Sequence, residues 1–145
     1  MMRAVLMTPA HLRAVAELEQ LVFEEPWSER SLALLCGEGG FGTVLLDDRG
    51  NALAYGGMMT VLDEGQITNI ATHPDYRRRG YAACVLQALL SGARARALRT
   101  LSLEVRESNT AAIVLYTRFG FEIVGKRNHF YTAPREDALV MVCDL

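Results

Sequence analysis

Two hydrophobic periods alternate along the chain, and the switches between them mark out its elements. The opening apolar run Met1-Met2-Arg3-Ala4-Val5-Leu6-Met7 reads as a first strand and stops at Thr8-Pro9, an N-cap followed by a proline in the first helical position. Leu12, Val15, Ala16, Leu18 and Val22 then recur at helical spacing, and Pro26 ends that helix. Ser28 can cap a second helix carrying Leu32 and Leu35, which finishes in Gly37-Glu38-Gly39-Gly40. Phe41 to Leu46 and Ala52 to Val61 are predicted strands joined by the turn Asp47-Asp48-Arg49-Gly50-Asn51, with Gly56-Gly57 suggesting a bulge in the second. Leu62-Asp63-Glu64-Gly65 turns the chain into a strand from Gln66 to Thr72, which Pro74 stops because proline cannot donate to a ladder.

The second half begins with an alanine-rich helix from Tyr81 to about Ala97, with Val85, Leu86, Leu89 and Leu90 on its core side. Thr100 to Val105 alternates cleanly: Leu101, Leu103 and Val105 on one face, Thr100, Ser102 and Glu104 on the other. Ser108-Asn109 caps a helix running through Arg118, and Gly120 stops it. Phe121 to Val124 is a short strand, 128–137 a polar loop, and Ala138 to Val142 a last strand. The order predicts an α/β (α+β) fold, one domain over 1–145, with a mixed sheet of about seven strands and about four helices.

Composition narrows the partners. Lys+Arg 15 against Asp+Glu 17 gives a net charge of −2, so no overall basic field exists to hold nucleic acid. Cys36, Cys84 and Cys143 are odd in number and set far apart among apolar neighbours, which predicts buried free thiols and a reducing, cytoplasmic setting. No apolar run is long enough to span a membrane. His11, His73 and His129 show no ligand spacing, and no metal is expected.

The strongest chemical signal is the order strand, basic glycine turn, helix start at Ile70 to Ala83. Free amides of a first helical turn attract anions, glycine at position 80 admits a ligand to the backbone, and Arg77, Arg78 and Arg79 add forked donors suited to phosphate. The alternative is a solvated charged turn. Gly37, Gly39 and Gly42 match the spacing G-x-G-x-x-G, but they follow a helix and open a strand, the reverse of what a dinucleotide site requires. Glu104, on the polar face of an apolar strand, suits a general base or is simply a surface carboxylate. Tyr116, among Ile113, Leu115 and Phe119, has the setting of a core tyrosine. Trp27, in the elbow between the first two helices, either packs or lines a groove.

Arg77-x-x-Gly80-x-Ala82, followed by the run from Leu103-Glu104-Val105-Arg106 to Phe119-Gly120-Phe121, resembles the GNAT N-acetyltransferases over nearly the whole chain. Pro26-Trp27-Ser28, Asn69-Ile70-Ala71 and Arg135-Glu136-Asp137-Ala138 resemble segments of the RimI group, bacterial enzymes acting on a ribosomal protein's N-terminal alanine. The resemblance implies acetyl-CoA as donor, its pantetheine pairing with the backbone of Ile70, Ala71 and Thr72. It puts the pyrophosphate on the turn from Arg77 through Gly80, Tyr81, Ala82 and Ala83, and a further contact at Asn109. It implies Glu104 as proton acceptor, Tyr116 as acid for the leaving thiolate, and Trp27 and Tyr131 as walls of a groove for an N-terminal peptide. Two other outcomes stay open: a GNAT enzyme acting on lysine or a small amine, and an acyl-CoA sensor without turnover.

Overall fold

A computed structural model describes residues 3–145, so the first two residues of the expected opening strand lie outside the described residues. What remains of that strand is β1 (Val5–Leu6), followed by α1 (Leu12–Val22), α2 (Glu29–Leu32), β2 (Gly40–Leu46), β3 (Ala52–Val61) and β4 (Glu64–Thr72). Then come α3 (Tyr81–Ala95), β5 (Thr100–Arg106), α4 (Thr110–Arg118), β6 (Glu122–Thr132) and β7 (Arg135–Asp144). All strands join one 7-stranded sheet in the order β1-β2-β3-β4-β5-β7-β6. Every pairing is antiparallel except β4 with β5. The alternations that defined the strands are the ones that bury. On β5, Leu101, Leu103 and Val105 face the core at 5% exposure or less.

One face of the sheet carries α1 and α2, whose Val15, Leu18 and Leu32, with Leu35 from the 3-10 turn after α2, pack with Val44, Tyr55 and Ala71. The other carries α3, with Val85, Leu86, Leu89 and Leu90 against Leu45, Met58 and Leu101, and α4 lies against the same cluster through Ile113, Leu115 and Tyr116. Glycine makes that double packing fit: a Cβ on Gly56 would stand 2.6 Å from Val85 Cγ1. Among the described residues no helix is long and apolar enough to cross a membrane. Of the cysteines, all free, Cys143 is buried, while Cys36 and Cys84 are only half-buried, less than expected.

Two further sequence expectations need correction. The bulge predicted at Gly56-Gly57 does break the register there, but the extra residue is Thr68 on β4, because Gly57 pairs with Asn69 while Met58 pairs with Ile67. The twin glycines make room for helices; the partner strand bends. The predicted loop over 128–137 is instead the end of a long hairpin, with Tyr131 opposite Glu136 and Thr132 opposite Arg135. β6 therefore runs to Thr132 rather than stopping at Val124.

The parallel pair β4–β5 decides where the sheet opens. It is in register only from Glu64–Gln66 against Thr100–Ser102. Past the bulge at Thr68 the two strands part, leaving one edge of β4 unpaired and opening a fork in the middle of the sheet.

Candidate active site

The fork holds a cleft of about 600 Å³. It is walled by the elbow after α1, by the β4 segment from Thr68 to Ile70, by Glu104 to Arg106 of β5, by Tyr116 of α4, and by the hairpin tip from Phe130 to Pro134. Of the residues singled out in the sequence, the fold brings Trp27, Ile70, Glu104, Asn109, Tyr116 and Tyr131 together around this one cavity. Ala71 is buried on the α1 side, and Thr72 is half-buried at the end of β4. Arg77, Arg78, Arg79 and Gly80 are exposed in the turn beyond, with Tyr81, Ala82 and Ala83 half-buried in the first turn of α3, outside the cleft lining.

Strand alternation turns Glu104 away from Leu103 and Val105 and into the cleft, leaving its side chain 11% exposed. The Gln66 side-chain amide donates to both of its oxygens, at 3.2 and 3.1 Å, and Arg127 Nε stands 3.6 Å away. That arrangement fixes the carboxylate's direction, with one largely exposed guanidinium at ion-pair distance. Tyr116 comes from α4, whose cap is the predicted one: Asn109 Oδ1 accepts from the Ala112 amide at 3.2 Å. Burial, and behind it the neighbouring Tyr131, push the Tyr116 phenol up to about 12. Its hydroxyl holds its proton throughout the neutral range.

The hairpin wall is anchored by a residue the sequence did not single out. Arg106 donates to the carbonyls of Ala133 (3.0 Å) and Pro134 (2.9 Å), pairs with Glu136 at 3.2 Å, and stacks 4.2 Å from the Tyr131 ring centroid. Glu136 also accepts from the Ser108 amide at 2.7 Å, and Ser108, by side chain and then backbone, with Arg106 behind it, holds the Glu136 carboxyl below the usual carboxylate range. A guanidinium two residues beyond Glu104, on the same polar face of β5, was the available signal.

Glu19 was also missed. It lies on the buried stripe of α1 with Val15 and Leu18, is 0% exposed, and accepts hydrogen bonds from Tyr55, Asn69 and the Trp27 amide. A carboxylate inside an apolar stripe was visible in the sequence; its partners were not. Thr68, the bulge residue, also lines the cleft, and its buried hydroxyl has no partner among the described residues.

The turn before α3 joins left-handed backbone to a helix start. Arg78 and Gly80 both take left-handed backbone, φ 66° and φ 80°. Gly80 is the helix N-cap, its carbonyl accepting from the Cys84 amide at 3.1 Å, so the first-turn amides point outward beside three exposed arginines.

Comparison with known proteins identifies the family. The family model described as acetyltransferase (GNAT) family covers residues 12–121. The [ribosomal protein bS18]-alanine N-acetyltransferase of Escherichia coli is 39% identical over 132 residues, 90% of this chain and 88% of that protein. Its counterpart from Salmonella typhimurium is 40% identical over 139 residues, 94% of this chain and 93% of that one. A crystal structure of the ribosomal-protein-S18-alanine N-acetyltransferase from Escherichia coli superposes with a TM-score of 0.90 at 36% identity, covering 99% of this chain and 94% of that chain. The chain belongs to the GNAT family of N-acetyltransferases.

Proposed function

We propose that the protein transfers the acetyl group of acetyl-CoA to the α-amine of a protein N-terminus, with the N-terminal alanine of a small-subunit ribosomal protein as acceptor. The observation that carries this reading is the meeting of Glu104 and Tyr116 in one cleft beside an unpaired strand edge. Extended pantetheine pairs with that edge at Ile70, Ala71 and Thr72, as an added strand would. The pyrophosphate then reaches the Gly80 turn and the first amides of α3, and Asn109 lies further along the cofactor. The acceptor enters between the Trp27 elbow and the Tyr131 hairpin, where amphipathic rings can pack on a peptide.

In the reaction the amine nitrogen attacks the thioester carbonyl carbon, and Glu104 takes the proton that the nitrogen sheds. The C–S bond then breaks, and the departing thiolate draws its proton from the Tyr116 hydroxyl. Amide and free thiol leave, and solvent exchange returns the proton from Glu104 and replaces that of Tyr116. Magnitudes constrain the second step. A free thiol has a pKa of ~8.5, so complete transfer from a phenol at about 12 is uphill by roughly 5 kcal/mol in water. The step works because the thiolate is born in the same water-poor cleft, where desolvation raises its own proton affinity. Tyr116 thus acts first as a hydrogen-bond donor to developing charge. Tyr116→Phe is expected to lower kcat about tenfold to a hundredfold while acetyl-CoA affinity stays within about twofold. Full activity in that variant, read by single-turnover CoA release, would return Tyr116 to a packing role.

The acceptor is tested by CoA release with an Ala-starting peptide, an N-blocked lysine peptide and spermidine. An α-amine (pKa ~8) presents roughly two hundredfold more neutral nucleophile at pH 7 than a lysine (~10.4). The Ala-starting peptide is therefore expected to lead in kcat/KM by about tenfold or more. Equal kcat/KM for spermidine moves the assignment to small amines. Tight acetyl-CoA binding with no release to any acceptor makes the protein a sensor.

A further inference from the structure

Among the side chains lining the cleft, Glu19 is a buried carboxylate for which the proposed reaction has no use. It is 0% exposed, and among the described residues no lysine, arginine or histidine pairs with it. A carboxylate held this way is costly unless donors replace the lost water. Three do, each from a different element. The Trp27 amide donates to Oε1 at 2.8 Å, while the Tyr55 hydroxyl (2.6 Å) and the Asn69 side-chain amide (3.0 Å) donate to Oε2. The Asn69 amide also reaches the Tyr55 oxygen at 3.0 Å.

The two ends of this carboxylate hold different things. Oε2 is fixed to the sheet, at β3 and at the β4 residue that comes after the Thr68 bulge. Oε1 holds the elbow, a non-helical stretch whose Phe23, Glu24, Glu25 and Pro26 are exposed. We propose that Glu19 is a positioning residue for the acceptor: it ties the Trp27 wall to the bulged strand and so sets the width of the groove into which the peptide's first residue fits. The inference rests on the reading of this cleft as the site of a peptide acceptor. Bonds to an ionised acceptor are the stronger kind, which is reason to keep a charge where an apolar side chain would pack as well. The donor site lies along the far half of β4 and the Gly80 turn, beyond this tie, so its affinity does not depend on Glu19.

Trp27 is the chain's single tryptophan, so its emission reports the elbow alone. In the unaltered protein, amide exchange followed by NMR is expected to find Trp27 protected while Glu24 and Glu25 exchange freely. In Glu19→Leu, a replacement of similar bulk with no acceptor, the Trp27 amide loses its partner together with Tyr55 and Asn69 on the sheet. Tryptophan emission should shift to the red and acrylamide quenching should at least double. Acceptor KM should rise about tenfold with acetyl-CoA KM unchanged within twofold, the loss expected for one charge-assisted bond. A Trp27 amide exchanging as fast as that of Glu25 overturns the proposal. So does a folded Glu19→Leu protein with unchanged quenching or unchanged acceptor KM, or one in which both KM values rise together. A wild-type enzyme that acetylates no peptide fails the acceptor reading instead, and exchange and quenching still decide whether Glu19 holds the elbow.

Discussion

Glu104→Gln is expected to cut acetylation of an Ala-starting peptide about a hundredfold to a thousandfold at pH 6.5, with the deficit shrinking steadily toward pH 9. Below its pKa of ~8 the amine is mostly protonated and has no lone pair to attack with, so the rate depends on a group that takes the ammonium proton before the N–C bond forms. Above that pKa the amine deprotonates in water, and the carboxylate has less to contribute. A glutamine of the same shape keeps an acceptor for the Gln66 amide, which in the unaltered protein reaches both carboxylate oxygens. It loses the charge facing Arg127, but that guanidinium is 58% exposed and the pair is worth ~1 kcal/mol at most. The melting temperature should therefore move by no more than about 2–4 °C. This separates the two readings of Glu104. A strand carboxylate present for structure would lose stability and keep a pH-independent rate ratio. A base loses rate, most at low pH, and barely moves the melt. A pH-rate profile flat across pH 6.5 to 9 relative to wild type would remove Glu104 from the chemistry.

The parts of this site legible in the sequence are those whose signal is local. Period-two alternation put Glu104 opposite Leu103 and Val105, and the fold keeps it there. Asn109 caps its helix with an atom three residues from its partner, and Gly80 sits where a strand meets a helix. The parts that were not legible depend on distance or on the absence of burial. β6 has no buried residue, so its hydrophobic pattern carries no period, and the polar run from Asn128 to Asp137 looked like a loop. What makes it a hairpin is pairing with β7 and Arg106 gripping the carbonyls at its tip, 27 and 28 residues away. Glu19 meets Tyr55 at a separation of 36 residues and Asn69 at 50. No window of sequence contains all three. The bulge fell on the wrong strand because glycine marks two different needs, flexible backbone and close packing. At Gly56 the neighbouring Val85 shows that packing was the need.

Gly80→Glu is expected to weaken acetyl-CoA binding about a hundredfold or more, to the point where titration calorimetry on folded protein records no heat. Gly80 has φ +80°, which a side chain adopts at a cost of roughly 1–2 kcal/mol, and no atom lies within 4 Å of where its Cβ would stand. The fold has room for the replacement. A carboxylate at this N-cap position can even recover part of the cost, because it sits at the positive end of α3 beside amides without partners. That local gain is what destroys binding. The same amides that would receive a pyrophosphate now face an anion built into the chain, and the exposed side chains of Arg77, Arg78 and Arg79 gain a competing partner. Gly80→Ala separates the two effects, since it imposes the backbone cost without the charge and should weaken binding by about tenfold or less. Raising the salt concentration should weaken wild-type binding too, because solvated arginines are screened within a Debye length of ~8 Å at physiological ionic strength. If Gly80→Glu binds acetyl-CoA as tightly as wild type, the phosphates lie elsewhere, and the arginine turn is only the solvated cap of an ordinary helix.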